Sequence, residues 1–330
     1  MFRGHSRIIS DMTRRTLLFT AAAAIPRLGH AGTPVTRPEI SAGTSPPEQV
    51  WVTTPDGSKA TGILRRPPGS GKFPALIFLH GGLGTLPVNT LREQSLTAPT
   101  QCRALAAGFV VLIPTFRKRN EDPQSTAALV DCVAMVRYAK TLAAVDPESV
   151  VVYGCSGGGS LALEIAGEEP LAAVVAEEPA TVLFTGMMNR NTPKAGALFQ
   201  PNDSEPISRD PKKYYTADFQ QLTRAKIRKI RCPILIPHGD RHIINRVNEL
   251  IVIPELKAAG KDVTELPFPG EPHCFGFHGD RRIDSAAALF REVQKYLEPR
   301  LQTKPRPVDA GLIRQVILES DEGSGACGAL

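Results

Sequence analysis

The chain has 330 residues, 42% hydrophobic and 22% charged, which suffices for a full core and excludes an intrinsically disordered protein. Residues 1–31 hold five arginines and one aspartate, a net charge of +4, so only +2 of the whole chain's +6 belongs to the remainder. Because a surface for a polyanion needs its positive charge on the folded part, no nucleic-acid partner is predicted.

The N-terminal residues have the pattern of an export signal. Residues 13–18 read Thr-Arg-Arg-Thr-Leu-Leu, and an apolar stretch at 17–25 and a small-x-small site at 29–31 follow. The apolar stretch is too short to cross a bilayer. We therefore predict that residues 1–31 are a twin-arginine-type signal peptide removed after Ala31, and that the product is periplasmic or secreted, without a stable membrane anchor.

Composition divides the remaining chain into three parts. Residues 32–48 are rich in Pro, Gly, Ser and Thr and predict a flexible lead-in. Residues 301–330 end in a run of small residues and predict a weakly ordered tail. The length of residues 49–300 fits one large α/β domain.

The domain begins with a predicted hairpin and a buried strand. Residues 50–53 and 60–64 are joined by an Asp-Gly turn, which is a strong hairpin signal. Residues 74–79, Pro-Ala-Leu-Ile-Phe-Leu, form an uninterrupted apolar run typical of a parallel strand that is covered on both faces. A His-Gly-Gly turn at 80–82 follows this strand.

Strands and helices alternate through the rest of the domain. Apolar periodicity predicts helices over 86–107, 126–143 and 284–297, and strands over 109–113, 150–153, 171–176, 233–237 and 263–266. This alternation predicts the α/β class, with a doubly wound, mostly parallel sheet. Residues 181–217 are too irregular for a crossover helix and too apolar for a linker, so we expect a small cap insertion there.

A Gly-Cys-Ser-Gly-Gly run at 154–158 lies where a buried strand turns into a helix. Such a turn exposes the hydroxyl of its central serine at the carboxyl end of the strand, which is the position of a catalytic nucleophile. Ser156 is the predicted nucleophile. Cys155 is not, because the turn presents the central residue of the motif.

A serine nucleophile needs a base and donors for the oxyanion. His273 is the predicted base, because it lies in a loop after the last predicted strand, at the same sheet edge as Ser156. His278 is expected to be a surface or packing residue. The predicted oxyanion hole is formed by the backbone N–H of Gly157 and by that of Gly82 or Leu83.

Six cysteines follow the leader, and none has the spacing of a zinc site. Most are expected to be small buried hydrophobic residues. No nucleotide or flavin motif occurs, so no cofactor and no metal are predicted.

The order of these motifs over residues 50–297 resembles the α/β-hydrolase superfamily, in particular its dienelactone hydrolase and prolyl-oligopeptidase-like branch. Members often follow the penultimate strand with His-Gly-x-x-Asp, the aspartate being the triad acid. Here the stretch is His238-Gly239-Asp240-Arg241-His242, so a histidine stands in the acid position.

Three acids remain open from the sequence. Asp240 is favoured, because a carboxylate fixes the tautomer of the base and stabilises its charged form better than a neutral imidazole. His242 in a Ser-His-His arrangement is the second alternative. Glu177 or Glu178, directly after the strand at 171–176, is the third.

The resemblance implies a serine hydrolase that cleaves a small ester or lactone through an acyl-enzyme. A peptidase or amidase like the oligopeptidases is an alternative, although no stretch long enough for a propeller precedes the domain. A binding protein of the same fold without catalysis is another. The sequence fixes neither the substrate nor the oligomeric state.

Overall fold

Eight strands form one sheet in the computed structural model, which describes residues 44–277 and 283–307. The predicted signal peptide, most of the lead-in, His278 and most of the tail lie outside the described residues. The strands are β1 (Glu48–Thr53), β2 (Lys59–Arg65), β3 (Phe73–Leu79), β4 (Val110–Thr115), β5 (Val145–Cys155), β6 (Ala173–Glu177), β7 (Ile234–Gly239) and β8 (Val263–Phe268).

The strand order is β1-β2-β4-β3-β5-β6-β7-β8. The pairs β1·β2 and β2·β4 are antiparallel, and every pair from β4 to β8 is parallel. The predicted doubly wound, mostly parallel sheet is therefore confirmed. The predicted hairpin is confirmed as well, with Gly57 in its turn at φ +80°.

Helices cover both faces of the sheet, as the apolar strands require. One core layer includes residues of α3 (Ala127–Thr141), α4 (Gly157–Ala166), α8 (Ala217–Lys229) and α10 (Ile253–Ala258). The other includes residues of α1 (Val88–Thr97), α2 (Pro99–Ala106) and α11 (Ile283–Leu297). Ser156 and Glu178 directly follow β5 and β6, the two central strands that carry the site.

The single helix predicted over 86–107 is wrong, because the structure has two helices there. The chain leaves the helical conformation at Ala98, with ψ 122°, and Pro99 begins the next helix. Proline disfavours a helical conformation in the residue before it. Pro99 therefore accounts for the break between the two helices.

The connection between β6 and α8 consists of short helical turns. They are α5 (Thr181–Phe184), α6 (Glu205–Arg209) and α7 (Pro211–Tyr214), with a 3-10 turn at Pro201–Ser204. Met187, Met188 and Phe199 are buried in the core layer that includes α3 and α4. The predicted irregular, apolar character of residues 181–217 agrees with this packing, and its role as a cap stays a prediction.

A continuous helical stretch follows β7. It runs from α9 (Asn245–Val247) through a π-helical turn (Asn248–Val252) into α10. All five cysteines among the described residues are free and buried, as expected. Within the same residues, no helix combines the length and the hydropathy needed to cross a membrane.

Candidate active site

Ser156 occupies a strained turn between β5 and α4. Its φ is 51° and its ψ −117°, a conformation that costs on the order of 1–3 kcal/mol and occurs mostly at functional sites. The backbone N–H of Ser156 donates to Glu177 O (3.0 Å), and Ser156 O accepts from Ala180 N (2.8 Å). The neighbouring strand thus fixes the turn from both sides of the serine.

The turn after β3 packs directly on the start of α4. A Cβ atom on Gly157 would lie 2.2 Å from Gly82 O, so only glycine permits this approach. Among the described residues, no acceptor faces the backbone N–H groups of Gly82, Leu83 and Gly157. The structure therefore brings Gly82 and Gly157, two of the three predicted oxyanion-hole residues, into contact next to Ser156.

His80 holds the turn after β3 in place. Its ring stacks on Phe116 with centroids 4.2 Å apart, and its Nδ1 donates to Gly81 O at 2.8 Å. Burial lowers the pKa of His80 to about 4, so its ring is neutral at physiological pH. This histidine is part of the scaffold of the turn.

His273 lies in the loop after β8 and faces Glu178. Its Nδ1 lies 3.2 Å from Oε2 of Glu178, without the geometry of a hydrogen bond. Catalytic hydrogen bonds are often loose before substrate binds. Ser156 contacts the backbone of Glu177 and His273 contacts the side chain of Glu178, so two consecutive residues connect the predicted nucleophile and base.

The carboxylate of Glu178 is fully buried and receives several donors. Its Oε1 accepts from Gly239 N (3.0 Å) and Asn245 Nδ2 (2.8 Å), and its Oε2 accepts from Cys274 N. Burial alone would raise the pKa of Glu178, but the contacts with His273, Asn245 and Cys274 outweigh it and lower the pKa. Glu178 is therefore ionised where it faces the base.

Glu177 is a second buried carboxyl group with the opposite character. Tyr153 Oη donates to its Oε2 and Gly276 N to its Oε1, each at 2.8 Å. Burial raises the pKa of Glu177 to about 8, and the charge of Glu178 contributes in the same direction. At neutral pH Glu177 is protonated, and it ties the loop that carries His273 to the end of β6.

The structure corrects the choice of Asp240 as the acid. Its exposed carboxylate accepts a hydrogen bond from Gly270 N (2.9 Å), while Nδ1 of His273 faces Glu178. The carboxyl group that follows β7 thus stabilises a surface turn. Of the three alternatives from the sequence, the one after β6 is the carboxylate placed against the base.

The structure also corrects the role of His242 as a third triad member. Its ring stacks on that of His273, with centroids 4.3 Å apart and an interplanar angle of 22°. Because the Nδ1 proton lies in the plane of the imidazole, a ring stacked on its face is not placed to accept it. His242 therefore contacts the base without occupying the position of the acid.

Asn245 was not among the residues predicted for the site. Its amide donates to Oε1 of Glu178 and to Gly239 O (2.9 Å), and its own Oδ1 accepts from Asn248 at 3.4 Å. Asparagine in a loop has no signature of this role, so no motif in the sequence indicated it. Its partner Glu178 could be found only by its place after a strand.

Donor atoms of Glu178, His273 and Cys274 lie within 4.8 Å of one another, a spacing at which a metal ion could bind. Metal ligation would require a thiolate, but burial and the neighbouring Cys155 thiol raise the pKa of Cys274 well above its usual value. The oxygens of Glu178 already accept three N–H groups. These residues fit proton transfer better than metal binding.

A cavity of about 410 Å³ lies within residues 193–209 of the connection after β6. Its lining includes Lys194, Glu205 and Arg209, with neither Ser156 nor His273 among the lining residues. This cavity is therefore separate from the predicted nucleophile and base.

Three solved structures that share this fold are esterases. Esterase Est22 is 18% identical with a TM-score of 0.56, covering 78% of this chain and 82% of that one. A thermostable esterase from Pseudomonas putida ECU1011 is 18% identical with a TM-score of 0.57, covering 80% and 85%. Brefeldin A esterase, a bacterial homologue of human hormone-sensitive lipase, is 19% identical with a TM-score of 0.55, covering 80% and 79%. The protein has the α/β-hydrolase fold.

The family follows from a longer match in sequence. Residues 114–299, more than half of the chain, match the prolyl oligopeptidase family, and the chain belongs to it. A curated relative, the quorum-quenching protein AidA of Acinetobacter baumannii, is 30% identical over 141 residues. That match spans 40% of this chain and 44% of the relative, less than half of its length.

The protonated state of Glu177 predicts a pH-dependent stability. Its pKa is near 4.5 in the unfolded chain and about 8 when folded, so its contribution is fully present below pH 4.5 and is lost between pH 4.5 and 8. In Glu177→Gln the amide oxygen can accept from Gly276 N and the amide N–H can donate to Tyr153 Oη in place of the present bond from that hydroxyl, and the titration is removed. We expect the variant to gain stability over the wild type by roughly 1 kcal/mol per pH unit from pH 5 to 8.

Urea unfolding at pH 5, 6, 7 and 8 measures this difference. Glu148→Gln, at an exposed position, is the matched control and should show a constant difference from the wild type. A constant difference for Glu177→Gln as well would mean that Glu177 is already ionised in the folded protein at pH 5.

Proposed function

We propose that this protein is a serine hydrolase that cleaves a carboxylic ester or lactone through an acyl-enzyme. One observation carries the proposal. Ser156 hydrogen-bonds Glu177, the last residue of β6, and His273 faces Glu178, the next residue. The backbone N–H groups of Gly157, Gly82 and Leu83, which have no acceptor among the described residues, would add the electrostatic part of such a site.

The reaction has two halves in this proposal. Nε2 of His273 takes the proton of Ser156 Oγ as this oxygen attacks the carbonyl carbon of the substrate. The oxyanion accepts hydrogen bonds from Gly157 N and from Gly82 N or Leu83 N. The bond to the leaving alkoxide then breaks, His273 returns the proton to it, and water repeats the cycle to release the acid.

Glu178 is the triad acid in this mechanism. Its ionised carboxylate favours the neutral tautomer of His273 with the proton on Nδ1, which leaves Nε2 unprotonated for the role of base. In the structure Nε2 lies 3.5 Å from Sγ of Cys274, a contact that the Ser156 hydroxyl would replace. It also stabilises the imidazolium that forms during the attack. Three N–H donors keep Glu178 charged and fixed, so that His273 does not have to provide all of its stabilisation.

The substrate is proposed to be a small molecule. Esterases among the solved structures of this fold favour an ester, and the quorum-quenching activity in the relative's name favours including small diffusible lactones. Membership of the prolyl oligopeptidase family favours a second candidate, an amide or peptide bond. Turnover of p-nitrophenyl esters, a simple lactone and aminoacyl anilides by the purified protein separates the two.

Ser156→Ala tests the nucleophile. Because the hydroxyl is the only group removed, we expect kcat on an activated ester to fall by at least about 10⁴-fold with an unchanged unfolding curve. A fluorophosphonate should label the wild type and not the variant. Labelling of neither protein would favour a binding protein of this fold, and activity retained by the variant would contradict the role of Ser156.

A pair of isosteric substitutions tests the acid. Glu178→Gln leaves an amide beside His273 that cannot stabilise the imidazolium, so kcat/KM should fall by about 10³- to 10⁴-fold. Asp240→Asn, in a surface turn, is the matched control and should change kcat/KM by less than about twofold. The reverse ranking would return the acid to the loop after β7.

We also propose that the protein is exported by the twin-arginine route. The support is the Arg14-Arg15 pair with the apolar stretch and small-x-small site that follow. Replacing both arginines by lysine should leave the precursor in the cytoplasm, as measured by cell fractionation and immunoblotting. Lysines at Arg3 and Arg7, outside the motif, are the control, and normal export of the Arg14-Arg15 variant would point to another route.

A further inference from the structure

The loop after β7 places an aromatic ring on the base instead of an acid beside it. His242 stacks on His273 with centroids 4.3 Å apart and an angle of 22°. We propose that His242 is a positioning residue, which holds the imidazole of His273 in the plane that serves both Glu178 and Ser156. This inference rests on the proposed function and adds a residue to that site.

His242 is itself held by its own loop. The backbone N–H of Ile244 donates to Nδ1 of His242 at 3.3 Å, and Asn245 N donates to His242 O at 3.3 Å. With Nδ1 used as an acceptor, the proton of the neutral ring lies on Nε2. The ring therefore has a fixed orientation although it is exposed to solvent.

His273 needs this support because its other polar contacts are loose. Nδ1 lies 3.2 Å from Oε2 of Glu178 without the geometry of a hydrogen bond, and Nε2 lies 3.5 Å from Sγ of Cys274. Rotation of the imidazole about the Cβ–Cγ bond would move both ring nitrogens out of their present plane. A ring stacked on one face opposes that rotation, because stacking is lost when the planes turn.

The same short segment also holds the acid. Asn245 donates to Oε1 of Glu178 at 2.8 Å, three residues after His242 stacks on the base. One connection thus positions the ring through His242 and the carboxylate through Asn245. The distance between base and acid then depends on a single rigid segment that continues into α10.

The neutral state of the His242 ring is compatible with stacking on His273. Although the residue is exposed, packing against His273 removes part of the water around the ring, and this desolvation together with the neighbouring His273 lowers the pKa of His242, against the opposite effect of Glu178 and Glu205. At pH 8 its ring is neutral and does not repel the imidazolium that forms on His273 in the reaction. An uncharged aromatic ring should therefore replace it, which makes phenylalanine the diagnostic substitution.

Steady-state kinetics at pH 8 on one p-nitrophenyl ester test the proposal with His242→Ala and His242→Phe. We expect His242→Ala to lower kcat by roughly three- to tenfold with KM unchanged, and His242→Phe to retain at least about half of the wild-type kcat. Arg246→Ala, an exposed residue of the same segment, is the matched control. Equal losses in both His242 variants, no loss in His242→Ala, or a change in KM alone would overturn the proposal.

A measurement that needs no turnover keeps this test separate from the proposed function. In NMR spectra of protein with labelled histidines, the ring signal of His273, assigned from a His273→Gln sample, should be sharp in the wild type and in His242→Phe. It should broaden or shift in His242→Ala. An unchanged ring signal in His242→Ala contradicts the stacking role, whereas an active Ser156→Ala would contradict only the proposed chemistry.

Discussion

Two adjacent carboxyl groups at the end of β6 carry the site, and only one of them can be charged there. Glu177 and Glu178 are both fully buried, and two neighbouring negative charges in such surroundings repel strongly. The hydrogen-bond partners of each carboxyl group determine which of the two is ionised. Three N–H groups and the ring of His273 surround Glu178, whereas a tyrosine hydroxyl and one N–H face Glu177. The neutral group can therefore attach the His273 loop to the end of β6, while the charged one faces the proposed base.

Backbone strain concentrates at the same place. Among the described residues, positive φ outside glycine occurs at Ser156 (51°), Glu178 (41°) and Cys274 (53°). Each costs on the order of 1–3 kcal/mol and persists only where the surroundings enforce it. Ser156 is enforced by hydrogen bonds to the β6 segment, and Cys274 by its N–H on Glu178. Ser156 is thus held by residues on either side of Glu178, and Cys274 by Glu178 itself. The proposed nucleophile, acid and base loop should therefore form or fail together.

The sheet and two members of the proposed site, Ser156 and His273, could be predicted from the sequence, because they depend on local patterns. Apolar runs predict parallel strands, and the small residues around Ser156 and the loop position of His273 follow from the connections between them. The acid depends on long-range contacts instead. Asp240 and Glu178 both follow strands that end at one sheet edge, and their side chains differ only in what the fold places around them. Burial, a positive φ and the amide of Asn245 favour Glu178, and no local pattern predicts any of the three.

In the proposed site the acid follows β6, whereas the His-Gly-x-x-Asp pattern would place it in the loop after β7. This difference in position affects the role of both segments. An acid on the β7 loop would be as exposed as Asp240, and solvent would weaken its field at the base. At the end of β6 the carboxylate is buried, so its charge acts on His273 through a medium of lower polarity. The cost of burying that charge is met by backbone N–H groups and an asparagine that the β7 segment supplies. Because the β7 segment does not supply the proposed acid, its residues can position both groups: Asn245 binds the carboxylate of Glu178, and His242 stacks on the imidazole of His273.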